Sequence, residues 1–292
     1  MSTSVRSNLE APNTPTQCPT SIRVAIDELI LAAAATVAGP ATRWLDVGCG
    51  TGRYRELLAT AGVLGGYTGV DLGLDEDRVW TDEDGTVISL LRRDASDLTD
   101  LPAASFEAAL SVMAFEHIID DRLAIAGIAR TLPPGAPFVL AVPAPAGRTI
   151  WGFRHCYRWY DERAIRALAD GAGLKVQRLS PVGGLASLTV NSAWFMLPYF
   201  LTKLITAGAY LVFLGKREPA RRYCPWLLRL LPTLQYWHCR YAAGRRVHDM
   251  LNRLLLRADR VCPRPPLAWV AVLRTDDPPG RTEARGRKSK PA

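Results

Sequence analysis

The sequence predicts an α/β protein built on a doubly wound, mostly parallel sheet. Two observations predict this fold class. Short apolar runs of strand length alternate with helical segments along much of the 292-residue chain, and such alternation is typical of βαβ crossovers. In addition, the first predicted strand ends in a glycine-rich turn that opens a helix, as at the ligand-binding edge of doubly wound sheets.

The predicted elements follow one another in a regular order. A helix is predicted first, over 21–37, from its helical periodicity and its alanine-rich interior. Strands are then predicted over 43–47, 67–71, 87–92, 106–112, 137–142 and 174–179, and helices over 52–61, 120–132 and 161–172. The alternation stops between about 181 and 266, and a last strand is predicted over 267–274.

These elements define the expected domain organisation. Residues 19–274 are predicted to form one domain, which includes a hydrophobic and basic helical insertion over 183–266 before the last strand. Residues 1–18 are rich in Ser, Thr, Pro and Asn and are predicted to be a flexible arm. Residues 275–292 combine Pro, Gly, Arg and Lys and are predicted to be a disordered basic tail.

Charge and cysteine usage limit the class of protein. The net charge is +8, yet residues 216–264 alone contain twelve Lys or Arg against three acidic residues. The part that precedes them is therefore mildly acidic, and the basic character belongs to the insertion and the tail. The six cysteines form no CxxC pair, and we see no secretory signal. We therefore expect a reduced, cytoplasmic protein without a disulfide framework or a zinc site.

The glycine-rich turn has the composition of a ligand-binding loop. Residues 44–52 are Trp-Leu-Asp-Val-Gly-Cys-Gly-Thr-Gly, so Gly48, Cys49, Gly50 and Gly52 lie between a strand and a helix. Glycine lets the backbone turn sharply and approach a ligand, which the amides of a helix start then face. The GxGxG spacing differs from the GxGxxG of dinucleotide-binding folds. Asp46 would repel a pyrophosphate but could hold a cationic ammonium or orient the loop, which favours a ligand that bears an amino acid.

Two further strands end in carboxylates. Asp71 follows the second strand about twenty residues after the glycines, where it can accept hydrogen bonds from both hydroxyls of a ribose. Asp94 follows the third strand, where it could accept a hydrogen bond from the amino group of an adenine. Three acidic strand ends in this order favour a nucleoside-bearing ligand. They disfavour the alternative that the glycines only form a tight corner of the fold.

Five sequence runs resemble those of class I S-adenosylmethionine (SAM)-dependent methyltransferases, and in particular the type 11 subgroup that includes quinone-biosynthesis-like enzymes. The runs are LDVGCGTG, GVD, RRDASDL, SFEAALSVMAFEHI and IARTLPPGAPFVLAVP. The resemblance covers about 43–182 and resumes at 267–274. It implies SAM as the cofactor and a Rossmann-like, seven-stranded sheet of order 3-2-1-4-5-7-6, in which the last strand is antiparallel.

The resemblance also implies roles for individual residues. The three glycines of the loop would cradle the methionine part of SAM, and Asp71 would bind its ribose. Asp94 and Ala95 would flank the adenine. Ser111 and Met113 would line the cofactor beside the reaction centre.

Two histidines are candidate general bases for methyl transfer to a hydroxyl, in which the protein aligns the acceptor and removes its proton. His117 follows the fourth strand, at the edge where doubly wound folds bind ligands, although it could instead orient a loop at a helix start. His155 lies after the fifth strand, in a region that closes over the acceptor in similar proteins, and a structural role suits it equally well. Catalysis by proximity alone, without a base, is the third option. Met113 occupies the position of a Glu that helps to bind a metal in some relatives, so no metal is expected.

The insertion contains a nearly continuous apolar run over 193–215, which is long enough to span a bilayer. Lys203 near its middle, and the need to return the chain to the sheet for the last strand, disfavour a span. Two interpretations remain for residues 185–261. They form either a lid that contacts an anionic membrane surface through clustered Arg, Lys, Trp and Tyr, or a cap over the acceptor or a dimer interface in solution. Both predict an apolar acceptor pocket.

The sequence therefore predicts a SAM-dependent methyltransferase, cytoplasmic or peripheral at the inner membrane face, that methylates a small-molecule or lipid-linked acceptor at oxygen. The alternative is a non-enzymatic protein that keeps the SAM fold as a binding or scaffold module, which the intact Asp46, Asp71 and Asp94 disfavour. A nucleic-acid substrate is disfavoured as well. The Asn/Asp-Pro-Pro-Tyr motif of base methyltransferases is absent, and Ser-Val-Met-Ala occupies its place at 111–114.

Overall fold

The structure is a computed structural model that describes residues 19–148, 156–193 and 241–276. Within these residues the chain divides into two compact units. The sheet unit comprises 25–148, 156–183 and 265–276, and the helical unit comprises 19–24, 184–193 and 241–264.

The sheet unit is built on one sheet of eight strands, in the order β3-β4-β2-β1-β5-β6-β8-β7. The strands are β1 (Arg43–Val47), β2 (Gly66–Val70), β3 (Arg78–Thr81), β4 (Val87–Leu91), β5 (Ala108–Val112), β6 (Pro137–Pro143), β7 (Leu174–Val182) and β8 (Ala268–Thr275). From β4 to β6 all neighbouring strands are parallel. The edge strand β3 runs antiparallel to β4, and β8, which is second from the other edge, runs antiparallel to both β6 and β7.

The predicted strand order is confirmed, and the predicted number of strands is wrong by one. Without β3, the remaining strands follow the order 3-2-1-4-5-7-6, with β8 antiparallel between β6 and β7. β3 is an additional edge strand, in which Trp80 lies opposite Ile88 of β4. The indole N–H of Trp80 donates to Asp82 at 2.8 Å, and the guanidinium of Arg55 lies 5.6 Å from its ring centroid. β3 is short and mostly exposed, so no apolar pattern in the sequence indicates it.

The helices of the first alternating pattern lie where the sequence predicts them. They are α1 (Ser21–Val37), α2 (Arg53–Thr60), α3 (Asp121–Thr131) and α4 (Glu162–Gly171). Asp120 accepts a hydrogen bond from the amide of Leu123, and Asp161 accepts one from the amide of Ala164. A side chain that accepts from the first turn stabilises a helix start, which explains why α3 and α4 begin at these aspartates.

The core lies around the central strands. Every residue of β5 and β6 is buried, as expected for parallel strands covered on both faces. Phe138 on β6 contacts Phe115, with ring centroids 6.1 Å apart, and Ile125 and Ile128 of α3 belong to the same apolar cluster. This core fixes the carboxyl edge of the sheet, where the loops after β1, β2, β4 and β5 all emerge.

The helical unit contains a helical segment over 185–193 and α5 (Ala242–Val261). Buried polar side chains meet inside it: the hydroxyls of Ser21 and Ser187 lie 3.0 Å apart, and the amide of Asn191 donates to Ser21 at 3.1 Å. None of the helices within the described ranges has the length and apolar composition needed to cross a membrane. The predicted apolar run lies outside the described residues from 194 onward, as do the predicted arm and all but the first two residues of the predicted tail.

Candidate functional site

The glycine-rich loop joins β1 to α2 at the carboxyl edge of the sheet. Gly48, Gly50 and Gly52 have φ values of +78°, +55° and +80°, a backbone conformation that other residues rarely adopt. The amides of Gly48 and Cys49 donate to the carbonyl of Val70 at the end of β2, at 2.8 and 3.1 Å. The three glycines and the contact with β2 therefore set the shape of the loop.

One side of the loop is tightly packed and the other is open. A Cβ on Gly48 would lie 2.2 Å from the Cβ of Ala114, whereas a Cβ on Gly50 would meet no described atom within 4 Å. Cys49 is buried, and burial, followed by the nearby carboxylates, raises the pKa of its thiol. The thiol is therefore a packing group, and the loop leaves an open cradle at Gly50.

Asp71 follows β2 and faces this loop. Its Oδ2 accepts a hydrogen bond from the amide of Gly50 at 2.8 Å, and its Oδ1 accepts one from the amide of Gly73 at 2.7 Å. A carboxylate oxygen has two lone pairs, so each can accept one hydrogen bond more. Leu72, which sequence reasoning missed, is 62% exposed directly after this carboxylate. A leucine immediately after an acidic strand end was the sequence signal that could have pointed to it.

Asp46 lies inside the sheet rather than at its surface. It is 1% exposed on β1, and the hydroxyl of Tyr67 on β2 donates to its carboxylate. Burial of the phenol, together with the charge of Asp46, raises the pKa of Tyr67 well above its ordinary value, so the hydroxyl keeps its proton. Of the two roles predicted for Asp46, this position suits orientation of the loop better than contact with a ligand.

We expect the buried phenol of Tyr67 to make the protein less stable at alkaline pH. Its pKa in the folded state lies above the value near 10.0 of a free tyrosine, so the unfolded chain releases the proton first. The contribution is fully present below about pH 10 and is lost as the pH rises further, at about 1.4 kcal/mol per pH unit. Denaturant unfolding between about pH 8 and pH 11 measures this slope. Tyr67→Phe should lower stability throughout but flatten the slope; an unchanged slope would contradict the assignment.

The loop after β4 contains Asp94 and Ala95. Asp94 is exposed, and one of its carboxylate oxygens accepts a hydrogen bond from the amide of Ser96 at 2.8 Å. Ala95 packs against the core. Arg93 donates to both oxygens of Asp77, at 3.0 and 2.9 Å. Asp77 immediately precedes β3, so the hairpin that the sequence does not predict holds this loop in place.

Ser111 and Met113 lie at the end of β5. Ser111 is fully buried, and its hydroxyl donates to the carbonyl of Val47 at 2.6 Å, which ties β5 to the start of the glycine loop. Met113 has a φ of +54°, and its amide donates to the carbonyl of Ala141 at 2.8 Å. Non-glycine residues in this left-handed region cluster at functional sites. Ser111 therefore holds β5 beside the start of the glycine loop, and Met113 is the residue at which the chain leaves the sheet.

His117 ends a short 3-10 helix, Phe115–His117, that follows β5. Its side chain is 42% exposed, and Nε2 lies 3.8 Å from Oε1 of Glu116, whose side chain is only 3% exposed. A buried carboxylate at this distance can balance a positive charge on the imidazole. The second predicted base, His155, lies outside the described residues. No group of three or more His, Cys, Asp or Glu within the described ranges could hold a metal ion.

The segment after residue 155 is fastened to the helix that bears His117. The amide of Tyr157 donates to the carbonyl of Glu116 at 2.7 Å. The hydroxyl of Tyr160 donates to Asp121 at 2.9 Å, and Arg158 forms an ion pair with the same carboxylate. The sequence does not predict these contacts, because nothing in it distinguishes Asp121 from any other acidic residue in the first turn of a helix.

Comparison with known proteins identifies the family. A family model described as a methyltransferase domain matches residues 45–140. An O-methyltransferase of Aspergillus nomiae is 33% identical over 162 residues, which cover 51% of this chain and 71% of that protein. A ubiquinone biosynthesis O-methyltransferase of Hahella chejuensis is 34% identical over 100 residues, which cover 33% of this chain and 41% of that protein. The chain thus matches less than half the length of the latter relative.

The fold agrees with this assignment. A solved [4+2]-cyclase superposes with a TM-score of 0.50 over 88% of this chain and 83% of that chain, at 18% identity, a likeness of fold. The described site also fits the cofactor of the family, SAM. The cradle at Gly50 is open, and both oxygens of Asp71 can accept further hydrogen bonds at the same edge. The chain belongs to the class I SAM-dependent methyltransferases.

Proposed function

We propose that the protein transfers the methyl group of SAM to a hydroxyl oxygen of a small, lipophilic or lipid-linked acceptor. The observation that supports this most directly is the placement of three groups at one edge of the sheet. The glycine loop, the carboxylate of Asp71 and the imidazole of His117 follow parallel strands, and doubly wound sheets bind ligands at that edge. Two relatives named O-methyltransferases support oxygen as the methylated atom.

In this proposal the loops after β1, β2 and β4 each bind a different part of SAM. The glycine loop, including the buried Cys49, holds the methionine part, and Asp71 binds the ribose. Leu72 and Ala95 offer apolar surface to the adenine, while Asp94 keeps one carboxylate oxygen for its amino group. Met113 lies beside the reaction centre. Asp46 and Ser111 are positioning residues, because both are buried and hydrogen-bonded within the sheet.

The chemistry of the step requires little more than alignment and a base. SAM, when bound, supplies an activated methyl carbon. His117 takes the proton of the acceptor hydroxyl, and the carboxylate of Glu116 balances the charge that the imidazole gains. Asp121 and Tyr160 hold the segment beside the short helix, so the base keeps its place. His155 remains a second candidate from the sequence.

The composition of the insertion supports a lipophilic or lipid-linked acceptor. We propose that residues 183–266 interrupt a domain that covers 19–274 and that 185–261 provide an apolar surface for the acceptor. Peripheral contact with an anionic membrane at the inner face would give a cytoplasmic enzyme access to a lipid-linked acceptor. The apolar run and the twelve basic residues of 216–264 support this choice.

Methyl transfer in total extract of the source organism tests the proposal. With SAM labelled in its methyl group, we expect label in the organic phase after extraction, and none with Asp71→Ala. His117→Ala should lower the rate by about 100-fold or more, the contribution typical of a general base, with the affinity for SAM unchanged. The exposed Arg163→Ala on α4 is the matched control.

The other outcomes separate the parts of the proposal. Label in the aqueous phase alone would keep methyl transfer and remove the lipophilic acceptor. A His117→Ala variant as fast as the wild type would remove the base. Label in neither phase, from protein that SAM still stabilises against heat, would favour a scaffold that only binds SAM.

A further inference from the structure

α5 buries a polar face in the helical unit. The side-chain amide of Asn252 donates to the carbonyl of Pro19 at 2.8 Å, and Nε2 of His248 lies 3.0 Å from the same oxygen. The carboxylate of Asp259 accepts a hydrogen bond from the backbone amide of Ser187 at 3.0 Å. Asn252 and Asp259 are each only 6% exposed. Polar residues therefore make the described inward contacts of this helix.

The outward face of α5 bears an apolar stripe. Its members share helical spacings of three, four or seven residues and are about half exposed or more: Val247 52%, Met250 53%, Leu251 50%, Leu254 49% and Val261 87%. A helix that covers a protein core turns its apolar residues inward. These five residues of α5 do not follow that rule, so the stripe is available for contact with a partner.

A basic stripe runs beside the apolar one. Arg246, Arg253, Arg257 and Arg260 follow at intervals of seven, four and three residues, so they share one side of the helix. The first three, together with Asp249, Met250 and Leu254, line a groove of about 420 Å³. Positive charge and apolar surface thus meet in the same groove.

We propose that this face of α5 docks on an anionic phospholipid surface, with the arginines against phosphates and with Met250 and Leu254 toward the acyl chains. Basic amphipathic helices bind in the plane of such an interface, and an anionic leaflet attracts clustered arginines. A nucleic acid would pair with the arginines but leave the apolar stripe in water. A symmetric antiparallel contact between two copies of α5 would place equal arginine stripes side by side.

The proposal rests on the membrane contact proposed above and names the element responsible for it. Its test is binding, which is measured apart from methyl transfer. The full chain is sedimented with vesicles of phosphatidylcholine alone and with vesicles that contain about one third phosphatidylglycerol. We expect binding to the anionic vesicles only, weakened at high salt because the Debye length shortens.

Three variants define the binding face. Each arginine near an anionic leaflet contributes about five-fold to partitioning, so Arg246→Gln/Arg253→Gln/Arg257→Gln should bind about 100-fold more weakly. Arg122→Gln/Arg163→Gln/Arg178→Gln removes equal charge from exposed positions of the sheet unit and should bind within about three-fold of the wild type. Met250→Gln/Leu254→Gln keeps the charge and should also weaken binding. Circular dichroism and thermal unfolding establish that each variant is folded.

Several results would overturn the proposal. One is a wild-type chain that binds no anionic vesicles, and another is a control triple variant that loses as much binding as the α5 variant. Self-association abolished by Met250→Gln/Leu254→Gln, or binding to single-stranded RNA in place of vesicles, would assign the face to another partner. Vesicle binding by a chain that transfers no methyl group would remove the proposed function and leave the docking face in place.

Discussion

Asp71→Ala should abolish tight binding of SAM while the chain remains folded. The substitution removes both carboxylate oxygens, which accept hydrogen bonds from the amides of Gly50 and Gly73 at 2.8 and 2.7 Å. A hydrogen bond to a charged group contributes about 1.5–3 kcal/mol, so the loss of two such bonds to a ribose raises the Kd for SAM by about 100- to 10,000-fold. Titration calorimetry measures this Kd directly.

Two variants show whether this effect belongs to the carboxylate. Asp71→Asn keeps one acceptor oxygen and should weaken binding by about 10- to 100-fold, the cost of one lost charged hydrogen bond. Asp75→Ala removes an exposed carboxylate four residues further along the same connection and should leave the Kd unchanged. If Asp75→Ala weakens binding as much as Asp71→Ala, the ribose assignment is wrong.

Gly48→Ala should be the most destabilising small substitution in the glycine loop. The new Cβ would lie 2.2 Å from the Cβ of Ala114, and the φ of +78° would strain any residue other than glycine. Overpacking costs about 1–3 kcal/mol and the left-handed backbone about 1–2 kcal/mol. We therefore expect the free energy of unfolding to fall by about 2–5 kcal/mol in denaturant titrations.

The loop provides its own control for these two contributions. Gly50→Ala has a φ of +55° and a Cβ that would contact no described atom within 4 Å, so it should show the backbone cost alone, about 1–2 kcal/mol. Gly48→Ala/Ala114→Gly removes the overlap and should recover most of the difference. Equal losses at Gly48 and Gly50 would mean that the contact with Ala114 plays no part.

Much of the sheet could be predicted because its signals are local. Each strand from β4 to β6 is a short apolar run between turn residues, and the capping aspartates Asp120 and Asp161 mark two helix starts. The strand order followed from family resemblance rather than from the residues. β3 has no such signal, because an exposed edge strand lacks an apolar face. Its existence depends on pairing with β4 and on the contact between Arg55 and Trp80.

The candidate site also has some features that local sequence patterns predict and others that they do not. The glycine spacing and the acidic strand ends predict the loop and Asp71 as ligand-binding groups, because the required residue types are adjacent in the sequence. The contacts of Tyr67 with Asp46 and of Arg93 with Asp77 depend on strand register and on a hairpin. No local pattern specifies which side chains meet in this way. The roles of His117 and His155 and the nature of the acceptor stay predictions.

The position of β8 between β6 and β7 has a consequence for synthesis of the protein. β6 and β7 are complete long before the ribosome reaches residue 268, yet each has β8 as a neighbour in the finished sheet. At about 5–20 residues per second, the nascent chain waits several seconds with both strand edges unpaired. Unpaired edges template aggregation, so this part of the sheet is most prone to aggregation before the last strand emerges.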